Sequence, residues 1–204
     1  MKIVLLDDND RLAQVYQSVL MSKGYDTEII GDASKIVETL KTNKPDLLLL
    51  DIMMEPLSGW DVLELIKKEP DLDDILIIIL TGKVMTIEEA LNYGMNIDGY
   101  VMKPLERSIL LSVIEEIMEI SRESSSRYYK ALETGMSEEE ASQCRRIFRK
   151  RKVLSYLKDL LVKQEKMLSL RPVEQSDILE SIEHLKKMIT NQYHILNQSE
   201  MTCP

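Results

Sequence analysis

Four apolar stretches of this chain each lead into residues that can do chemistry. The first leads into the acid pair Asp7 and Asp8, the second into Asp51, the third into Thr81 and the fourth into Lys103. Carboxylates held close together repel one another, and a divalent cation with oxygen ligands removes that repulsion. A carboxylate can also attack phosphorus, while a hydroxyl and an ammonium group hold phosphoryl oxygens. These residue types therefore favour a Mg²⁺ or Ca²⁺ site and are compatible with chemistry on a phosphoryl group.

The side chains meet only if the apolar stretches are parallel strands of one sheet. The run Leu47–Leu50 has no amphipathic period and lies between turn residues, which is typical of a strand buried on both faces. Strand and helix patterns alternate five times, so we predict an α/β fold with a doubly wound, five-stranded parallel sheet. Ligands bind such sheets beyond the carboxyl ends of the strands. The predicted strands cover about 2–6, 25–30, 46–50, 75–80 and 99–102.

Helix patterns follow these strands and have recognisable ends. We predict helices from Asp10 to about 23, from Asp32 to about 41, over 60–68 and 86–93, and from about 105 onward. Asp10 and Asp32 are the predicted N-caps, because aspartate accepts hydrogen bonds from the free N–H groups of a first helical turn. The side chains of the first helix that should face the core are Leu12, Val15, Val19 and Leu20.

The order and spacing of the polar residues resemble the receiver domain of two-component response regulators. The resemblance covers about residues 1–122, and it rests on the Asp7–Asp8 pair, Asp51, Gly59, Thr81 and the Lys103–Pro104 dipeptide. It implies the flavodoxin-like sheet order 2-1-3-4-5, with the aspartates at the ends of the two strands that flank the switch point. Residues 123–204 lie outside the resemblance and form a second predicted domain, made of helices.

The resemblance assigns roles in phosphoryl transfer. Asp51 would be the phosphoacceptor, with a histidine kinase or a phosphotransfer protein as the donor. Lys103 and Thr81 would hold the phosphoryl oxygens. Thr81 and Tyr100 would form the switch that reshapes the protein surface after phosphorylation. A tyrosine simply packed at the sheet edge is the alternative interpretation of Tyr100.

The resemblance also implies Mg²⁺ as the cofactor. Its direct ligands would be Asp8, Asp51 and the backbone carbonyl of Met53, while Asp7 would act through a water molecule. A single acid at a strand end is usually an exposed turn residue. Three converging acids favour the metal site, because their mutual repulsion needs compensation.

Two other classes of function compete with a signalling phosphoacceptor. A haloacid-dehalogenase-type phosphatase also has a nucleophilic aspartate at a strand end, but it needs a second acid two residues later, where this chain has Met53. An unphosphorylated structural adaptor would not need the intact acids or Lys103. The chain departs from the receiver pattern at Glu55, because receivers commonly have proline there and this chain has Pro56. We therefore predict a phosphoacceptor, and no enzyme with a separate substrate.

The C-terminal domain has a helical pattern with heptad-like spacing. The helix that starts near 105 should continue past Ile120 and end at Gly135, and Ser137 with Glu140 forms a capping box for the next one. Helices over about 137–170 and 173–198 should form an antiparallel hairpin broken at Pro172. In an isolated hairpin the apolar seams of these helices would remain exposed to solvent, so we predict a homodimer through them. The seams contain Leu154, Leu157, Leu161, Leu168, Ile178, Ile182, Leu185, Ile189 and Leu196.

A basic cluster at 145–152 supports an alternative, a regulator that binds DNA or RNA. No helix-turn-helix pattern accompanies the cluster. Residues 1–122 contain 12 basic and 23 acidic residues, and residues 123–204 contain 14 basic and 12 acidic ones. This distribution favours a solvated helix face, or one that docks on the acidic receiver part of the chain, over binding to nucleic acid. His184 faintly resembles a phosphotransfer histidine, but its heptad neighbours favour a structural position.

Composition and cysteine use predict the compartment. Hydrophobic residues make up 44% of the 204 residues and charged ones 30%, which is typical of soluble globular proteins. No apolar run approaches the ~20 residues that cross a bilayer, and no signal-peptide pattern precedes the first strand. Cys144 and Cys203 lack the spacing of metal ligands or of a disulfide framework. We therefore expect a cytoplasmic protein with reduced cysteines and no membrane contact.

Overall fold

A computed structural model describes the chain over most of its length. The described residues are 1–82, 89, 92–94, 96–103, 106–169, 176–198 and 203, and some side chains within α5 and α6, defined below, are not described. Most of the helix predicted over 86–93 and the break predicted at Pro172 lie outside these residues.

Five strands form one parallel sheet in the order β2-β1-β3-β4-β5. This order confirms the predicted doubly wound fold. The side chains Leu47–Leu50 are fully buried, because a parallel sheet is covered on both faces. The strands are β1 Lys2–Leu6, β2 Asp26–Ile30, β3 Leu47–Asp51, β4 Leu76–Thr81 and β5 Gly99–Met102.

The strand register aligns the carboxyl ends of four strands at one edge of the sheet. Leu6 pairs with Leu50, and Thr81 pairs with Met102. Asp7 therefore follows β1, Asp51 and Thr81 end β3 and β4, and Lys103 follows β5. The sheet alone brings together groups that are as far apart in sequence as residues 7 and 103.

Six α-helices are described. They are α1 Asp10–Met21, α2 Ile36–Asn43, α3 Gly59–Lys67, α4 Arg107–Glu133, α5 Glu138–Ser169 and α6 Ser176–Gln198, with short 3₁₀ helices at Ala33–Lys35 and Pro70–Leu72. Asn9, not Asp10, caps α1, and its side chain accepts a hydrogen bond from the Leu12 N–H. Asp32 is a cap as predicted, but it caps the 3₁₀ helix before α2.

The buried face of α1 differs from the predicted stripe. Its buried side chains are Ala13, Tyr16, Val19 and Leu20, while Val15 is 57% exposed. Ala13, Tyr16 and Val19 are spaced by three residues, so they lie on one side of the helix. Val19 and Leu20 are buried as predicted. Ala13 and Tyr16 are buried in place of Val15, which the prediction selected because a hydrophobicity pattern ranks valine above both.

The described residues divide into two compact units. The first contains Met1–Val84 with Asn92–Val113, and the second contains Ile114–Pro204 with Met85–Leu91. Both this division and the predicted boundary at 122 fall within α4. The first unit contains the sheet, and the second contains most of α4 together with α5 and α6.

Within the second unit, α4 and α5 are antiparallel. Glu123 forms a 2.9 Å ion pair with Lys152, and the Arg127 guanidinium lies 4.8 Å from the centre of the Phe148 ring. Residue numbers therefore rise along α4 while those of the contacting residues fall along α5, as in an antiparallel pair. Gly135, with a φ of +89°, ends the connection from α4 as predicted, because glycine adopts the left-handed region without strain.

The α5 helix begins with the predicted capping box. The Ser137 N–H donates to the Glu140 carboxylate at 2.8 Å, and the Glu140 N–H donates to the Ser137 hydroxyl at 3.3 Å. The backbone hydrogen bond from Ser137 lowers the pKa of Glu140, and the hydroxyl contact lowers it further. The sequence pattern identified this helix start correctly.

The helices α5 and α6 are also antiparallel, since Arg151 of α5 donates a hydrogen bond to the Leu196 carbonyl of α6. Leu154, Leu157 and Ile189 of the predicted seams are buried within the single chain. The premise that a lone chain leaves its seams exposed to water is therefore wrong for these three side chains. Leu161 and Leu185 have no described side chains.

The two cysteines form a disulfide, which corrects the expectation of reduced cysteines. Cys144 lies in α5 and Cys203 lies beyond the end of α6, with a sequence separation of 59 residues and 5.6 Å between their Cα atoms. A pair so distant in sequence gives no local pattern. Only the antiparallel packing of the helices brings the two residues together.

A search of the described helices for a membrane span found none that combines sufficient length with sufficient apolar character.

Candidate functional site

Three aspartates meet at the carboxyl edge of the sheet. Asp7, Asp8 and Asp51 each offer a carboxylate oxygen, and these oxygens lie within 4.8 Å of one another. Asp7 is fully buried and Asp51 is 5% exposed, whereas Asp8 is open to solvent. The arrangement places one accessible and two shielded carboxylates around a single point.

Lys103 provides the positive charge of this cluster. Its Nζ lies 2.7 Å from Asp7 Oδ2 and 3.0 Å from Asp51 Oδ2. Burial opposes the ammonium charge, but the hydrogen bonds to Asp7 and Asp51 outweigh it and raise the pKa of Lys103 above its usual value. The Lys103 backbone N–H donates to the Thr81 carbonyl at 2.7 Å, which fixes the residue at the end of β5.

Backbone groups orient the two buried carboxylates. Asp7 Oδ1 accepts a 2.9 Å hydrogen bond from the Asn9 N–H, and Asp51 Oδ1 accepts a 3.3 Å one from the Met53 N–H. Asn9 therefore acts twice, as the cap of α1 and as a backbone donor to the site. Sequence reasoning missed it, although an asparagine directly after an acid pair and before a helix is a recognisable cap signal.

Gly59 allows α3 to begin against the acceptor strand. A Cβ at this position would lie 2.2 Å from the Asp51 carbonyl oxygen and 2.8 Å from Ile52 Cα. The Gly59 N–H donates to the Ile52 carbonyl at 3.0 Å. The absence of a side chain, not an unusual φ, is what this glycine contributes.

Thr81 and Tyr100 lie on adjacent strands behind the acids. Thr81 is fully buried at the end of β4, and Tyr100 is half-buried in β5, where it pairs with Ile79. The side chain of Met53, two residues after Asp51, is 59% exposed and apolar. A haloacid-dehalogenase-type phosphatase needs an acid at this position to activate a water molecule, and Met53 cannot supply one.

Tyr16 is a neighbour of the site that sequence reasoning missed. Burial raises the pKa of its hydroxyl, Lys103 lowers it, and Asp7 and Asp51 raise it further. These influences show that the phenol of α1 lies within electrostatic reach of the cluster. Its position in the true buried stripe of α1 is the signal that could have identified it.

The donor set fits a hard divalent cation. Three carboxylates and one ammonium leave two excess negative charges in the cluster. Oxygen-only ligands with one solvent-exposed side suit Mg²⁺, which keeps several of its waters. The carboxylates of Asp7, Asp8 and Asp51 could hold it, together with water.

A parallel 2-1-3-4-5 sheet with three acids, a threonine and a lysine at its carboxyl edge defines the receiver class of signalling proteins. A family model described as response regulator receiver domain matches residues 3–115. This match covers more than half of the chain, which therefore belongs to the response regulator receiver family.

Curated relatives support the same family over part of their length. DNA-binding response regulator MtrA of Mycolicibacterium smegmatis is 33% identical over 111 residues, which are 54% of this chain and 47% of the relative. Probable transcriptional regulator ycf29 of Pyropia yezoensis is 30% identical over 117 residues, 57% of this chain and 53% of the relative. The chain spans about half the length of these relatives. Because one relative is called DNA-binding, the expectation that nucleic acid is an unlikely partner is not supported.

Solved structures show the same fold. A CheY-like response regulator receiver domain protein of Methanospirillum hungatei matches with a TM-score of 0.51 and 28% identity, over 58% of this chain and 93% of that one. A response regulator of Desulfuromonas acetoxidans matches with a TM-score of 0.53 and 26% identity, over 58% of this chain and 97% of that one.

Proposed function

We propose that this chain is a response regulator that accepts a phosphoryl group on Asp51 from a histidine kinase or a phosphotransfer protein. The observation that carries the proposal is the convergence of Asp7, Asp8 and Asp51 around one point, with Lys103 paired to two of them. Such a protein catalyses only its own phosphorylation and dephosphorylation. Since its donor acts inside the cell, we also propose a cytoplasmic location.

The geometry supports in-line transfer to Asp51. An Asp51 carboxylate oxygen forms a bond to phosphorus while the bond from phosphorus to the donor's nitrogen breaks. Lys103 already lies 3.0 Å from Asp51, so its ammonium can follow the new negative charge without a large movement. Mg²⁺, when bound, supplies further positive charge to the phosphoryl oxygens. Asp8 stays accessible to help bind that ion, while Asp7 orients Lys103 through their 2.7 Å ion pair.

Thr81 and Tyr100 are proposed to transmit the phosphorylation of Asp51 to the protein surface. Thr81 ends the strand next to β3, and this position supports the proposal that its hydroxyl donates to a phosphoryl oxygen on Asp51. Tyr100 lies on the following strand and can occupy the space that Thr81 leaves. On this proposal, Thr81→Ala still accepts the phosphoryl group but does not pass the change to the surface.

Phosphorylation by a small donor tests the proposal. Incubation with Mg²⁺ and acetyl phosphate should add one phosphoryl group per chain, measured by intact-protein mass spectrometry. The adduct should survive acid and be lost to hydroxylamine, as acyl phosphates are. Asp51→Asn should abolish it, and Asp26→Asn, at an exposed position on β2, should not. Labelling that survives in Asp51→Asn but disappears in His184→Ala would overturn the assignment.

The proposed output is protein–protein contact through the helices after residue 122. Residues 1–122 would form the receiver domain and 123–204 the output module. Tyr193 and Ile195 of α6 are apolar and exposed, which makes them candidates for contact with a second copy. This proposal no longer needs Leu154 or Leu157, because both are already buried in the chain.

Nucleic-acid binding by α5 is the second candidate. Residues 141–158 contain seven basic residues and no acidic one, and a matched relative is described as DNA-binding. Cations on a helix neutralise backbone phosphates, so binding should weaken steeply with salt. Fluorescence anisotropy with random-sequence duplex should show this dependence, and Arg146→Gln with Arg149→Gln should reduce its slope. Lys186→Gln with Lys187→Gln on α6 removes the same two charges and is the control. Absence of binding at low salt would exclude this candidate.

A further inference from the structure

The Cys144–Cys203 disulfide closes a covalent loop around the end of the second unit. These are the two cysteines of the chain. Cys144 is 1% exposed within α5, whereas Cys203 is half-exposed and follows the end of α6 at Gln198. The loop contains α5 from Cys144 onward and the whole of α6. While the bond is intact, the end of α6 cannot leave α5.

The end of α6 contacts α5 and also carries exposed apolar side chains. The Arg151 side chain donates a hydrogen bond to the Leu196 carbonyl at the same end of the hairpin. Among the α6 side chains that the structure describes, Ile189 is buried and Leu196 is half-buried, while Tyr193 and Ile195 are exposed. Helix ends with exposed side chains open locally at lower free energy than a buried core. The disulfide therefore adds a covalent restraint to the last turns of α6.

The two sulfurs differ in solvent exposure, and this difference favours thiol–disulfide exchange at one of them. A thiolate reductant reaches the half-exposed Cys203 sulfur more readily than the buried Cys144 sulfur. Attack there releases Cys144 as the leaving thiolate.

We propose that Cys144 and Cys203 form a reversible redox switch that fixes α6 on α5 when oxidised and releases its end when reduced. The reductant is a dithiol. Its two thiols become a disulfide, its two electrons and two protons pass to the cystine, and Cys144 and Cys203 become thiols. This inference rests on the proposed function in one respect, the proposed cytoplasmic location. Disulfides in a cytoplasmic protein are mostly transient or redox-sensing.

Thiol labelling of the full-length protein tests reversibility. Purified protein oxidised in air should show no free thiol, and native treatment with dithiothreitol should expose two thiols per chain to a maleimide reagent. A monothiol such as glutathione should give a mixed disulfide that peptide mapping places on Cys203. Removal of the reductant in air should restore the oxidised form. Free thiols in the air-oxidised protein, or resistance to dithiothreitol until the protein is denatured, would overturn the switch.

Hydrogen exchange measures the effect on α6. Reduction should speed amide exchange over residues 190–198 by about tenfold or more, because local opening is no longer held by the loop. Cys203→Ser and Cys144→Ser should match the reduced wild type and should not respond to dithiothreitol. Equal protection of α6 in oxidised, reduced and variant proteins would contradict the proposal. None of these readouts depends on Asp51, so their failure is separate from failure of the phosphoacceptor assignment.

Discussion

Lys103 makes ion pairs with two carboxylates that solvent hardly reaches, Asp7 and Asp51. Loss of one partner of a buried pair leaves an uncompensated charge, which costs about 3–5 kcal/mol. We expect Lys103→Met to lower the free energy of unfolding by that order in metal-free buffer, as measured by urea denaturation. Mg²⁺ should recover part of the loss. Lys41→Met, which breaks the more exposed pair with Glu69, should cost at most ~1 kcal/mol. Equal losses in both variants would contradict the paired geometry.

The raised pKa of Lys103 gives the same pair a pH dependence. Its hydrogen bonds to Asp7 and Asp51 hold the proton more tightly in the folded chain than in the unfolded chain, despite the opposing effect of burial. The stabilisation is therefore complete below the unfolded pKa of 10.5 and is lost as pH rises through the higher folded pKa. The stability difference between wild type and Lys103→Met should shrink across this alkaline range. Urea titrations at several pH values measure it, and a difference that grows with pH would be the wrong sign.

Mg²⁺ binding should be visible through Trp60. This residue is the chain's only tryptophan, it directly follows Gly59, and it stacks on Tyr93 with ring centres 4.5 Å apart. Millimolar Mg²⁺ should change its fluorescence and raise the melting temperature, because a ligand that binds the native state stabilises it. Asp8→Ala should remove both effects, whereas Asp26→Ala on β2 should keep them. If wild type shows neither effect, the three acids do not bind this ion.

At the residue scale, sequence predicted the groups that end strands and missed those that α1 brings in. Asp7, Asp51, Thr81 and Lys103 could be placed because apolar runs mark strand ends. Tyr16 reaches the site only because its helix buries a different side from the one that hydrophobicity predicts. The side of a helix that faces the core depends on how the helix packs against the sheet, and the sequence of the helix alone does not determine this packing.

The start of α3 offers a prediction at the scale of an element. A methyl group on Gly59 would overlap the Asp51 carbonyl oxygen at 2.2 Å. Either α3 or the end of β3 must shift, so Gly59→Ala should destabilise the first unit by about 1–3 kcal/mol and slow phosphorylation of Asp51. Calorimetry and the rate of acetyl phosphate labelling measure the two effects.

Gly82→Ala is the matched control for Gly59→Ala. Gly82 directly follows Thr81, and the atom nearest to an added Cβ is Met53 Sδ at 4.0 Å. This variant should therefore stay close to wild type in both measurements. Similar behaviour of the two alanine variants would show that the tight start of α3 is unimportant for the acceptor strand.

Element ends were predictable where local chemistry decides them. The Ser137–Glu140 capping box and the Gly135 terminus involve only neighbouring residues, and the structure has both. The cap of α1 was misplaced by one residue, since Asn9 and Asp10 are both good capping residues and only the path of the chain after Asp7 selects between them.

At the scale of the whole molecule, self-association through α6 stays a prediction. Closed two-fold dimers are the most common homo-oligomers, and Ile195 is 51% exposed on α6. Sedimentation velocity across a concentration series should show a dimer, and Ile195→Asp should shift it to monomer without loss of helical content. Tyr129→Asp, at an exposed position on α4, should leave the dimer intact. A wild-type monomer at every concentration, phosphorylated or not, would exclude a dimer.

Long-range pairings limit what the sequence reveals at this scale. The sheet order could be predicted because the alternation of strands and helices restricts the topology. The Cys144–Cys203 bond could not, because its partners are 59 residues apart in sequence and two helices must first pair. The contacts of α4 with α5, such as the ion pair between Glu123 and Lys152, escaped prediction for the same reason.

The central claim is that Asp51 itself carries the phosphoryl group, and chemical trapping tests it most directly. Borohydride reduces an acyl phosphate, so treatment of phosphorylated protein should convert the modified aspartate to homoserine. Peptide mass spectrometry of wild type incubated with Mg²⁺ and acetyl phosphate should find homoserine at position 51 and at no other aspartate. Omission of Mg²⁺ should remove the signal. Homoserine at a different aspartate, or a phosphorylated protein that yields none at position 51, would contradict the assignment.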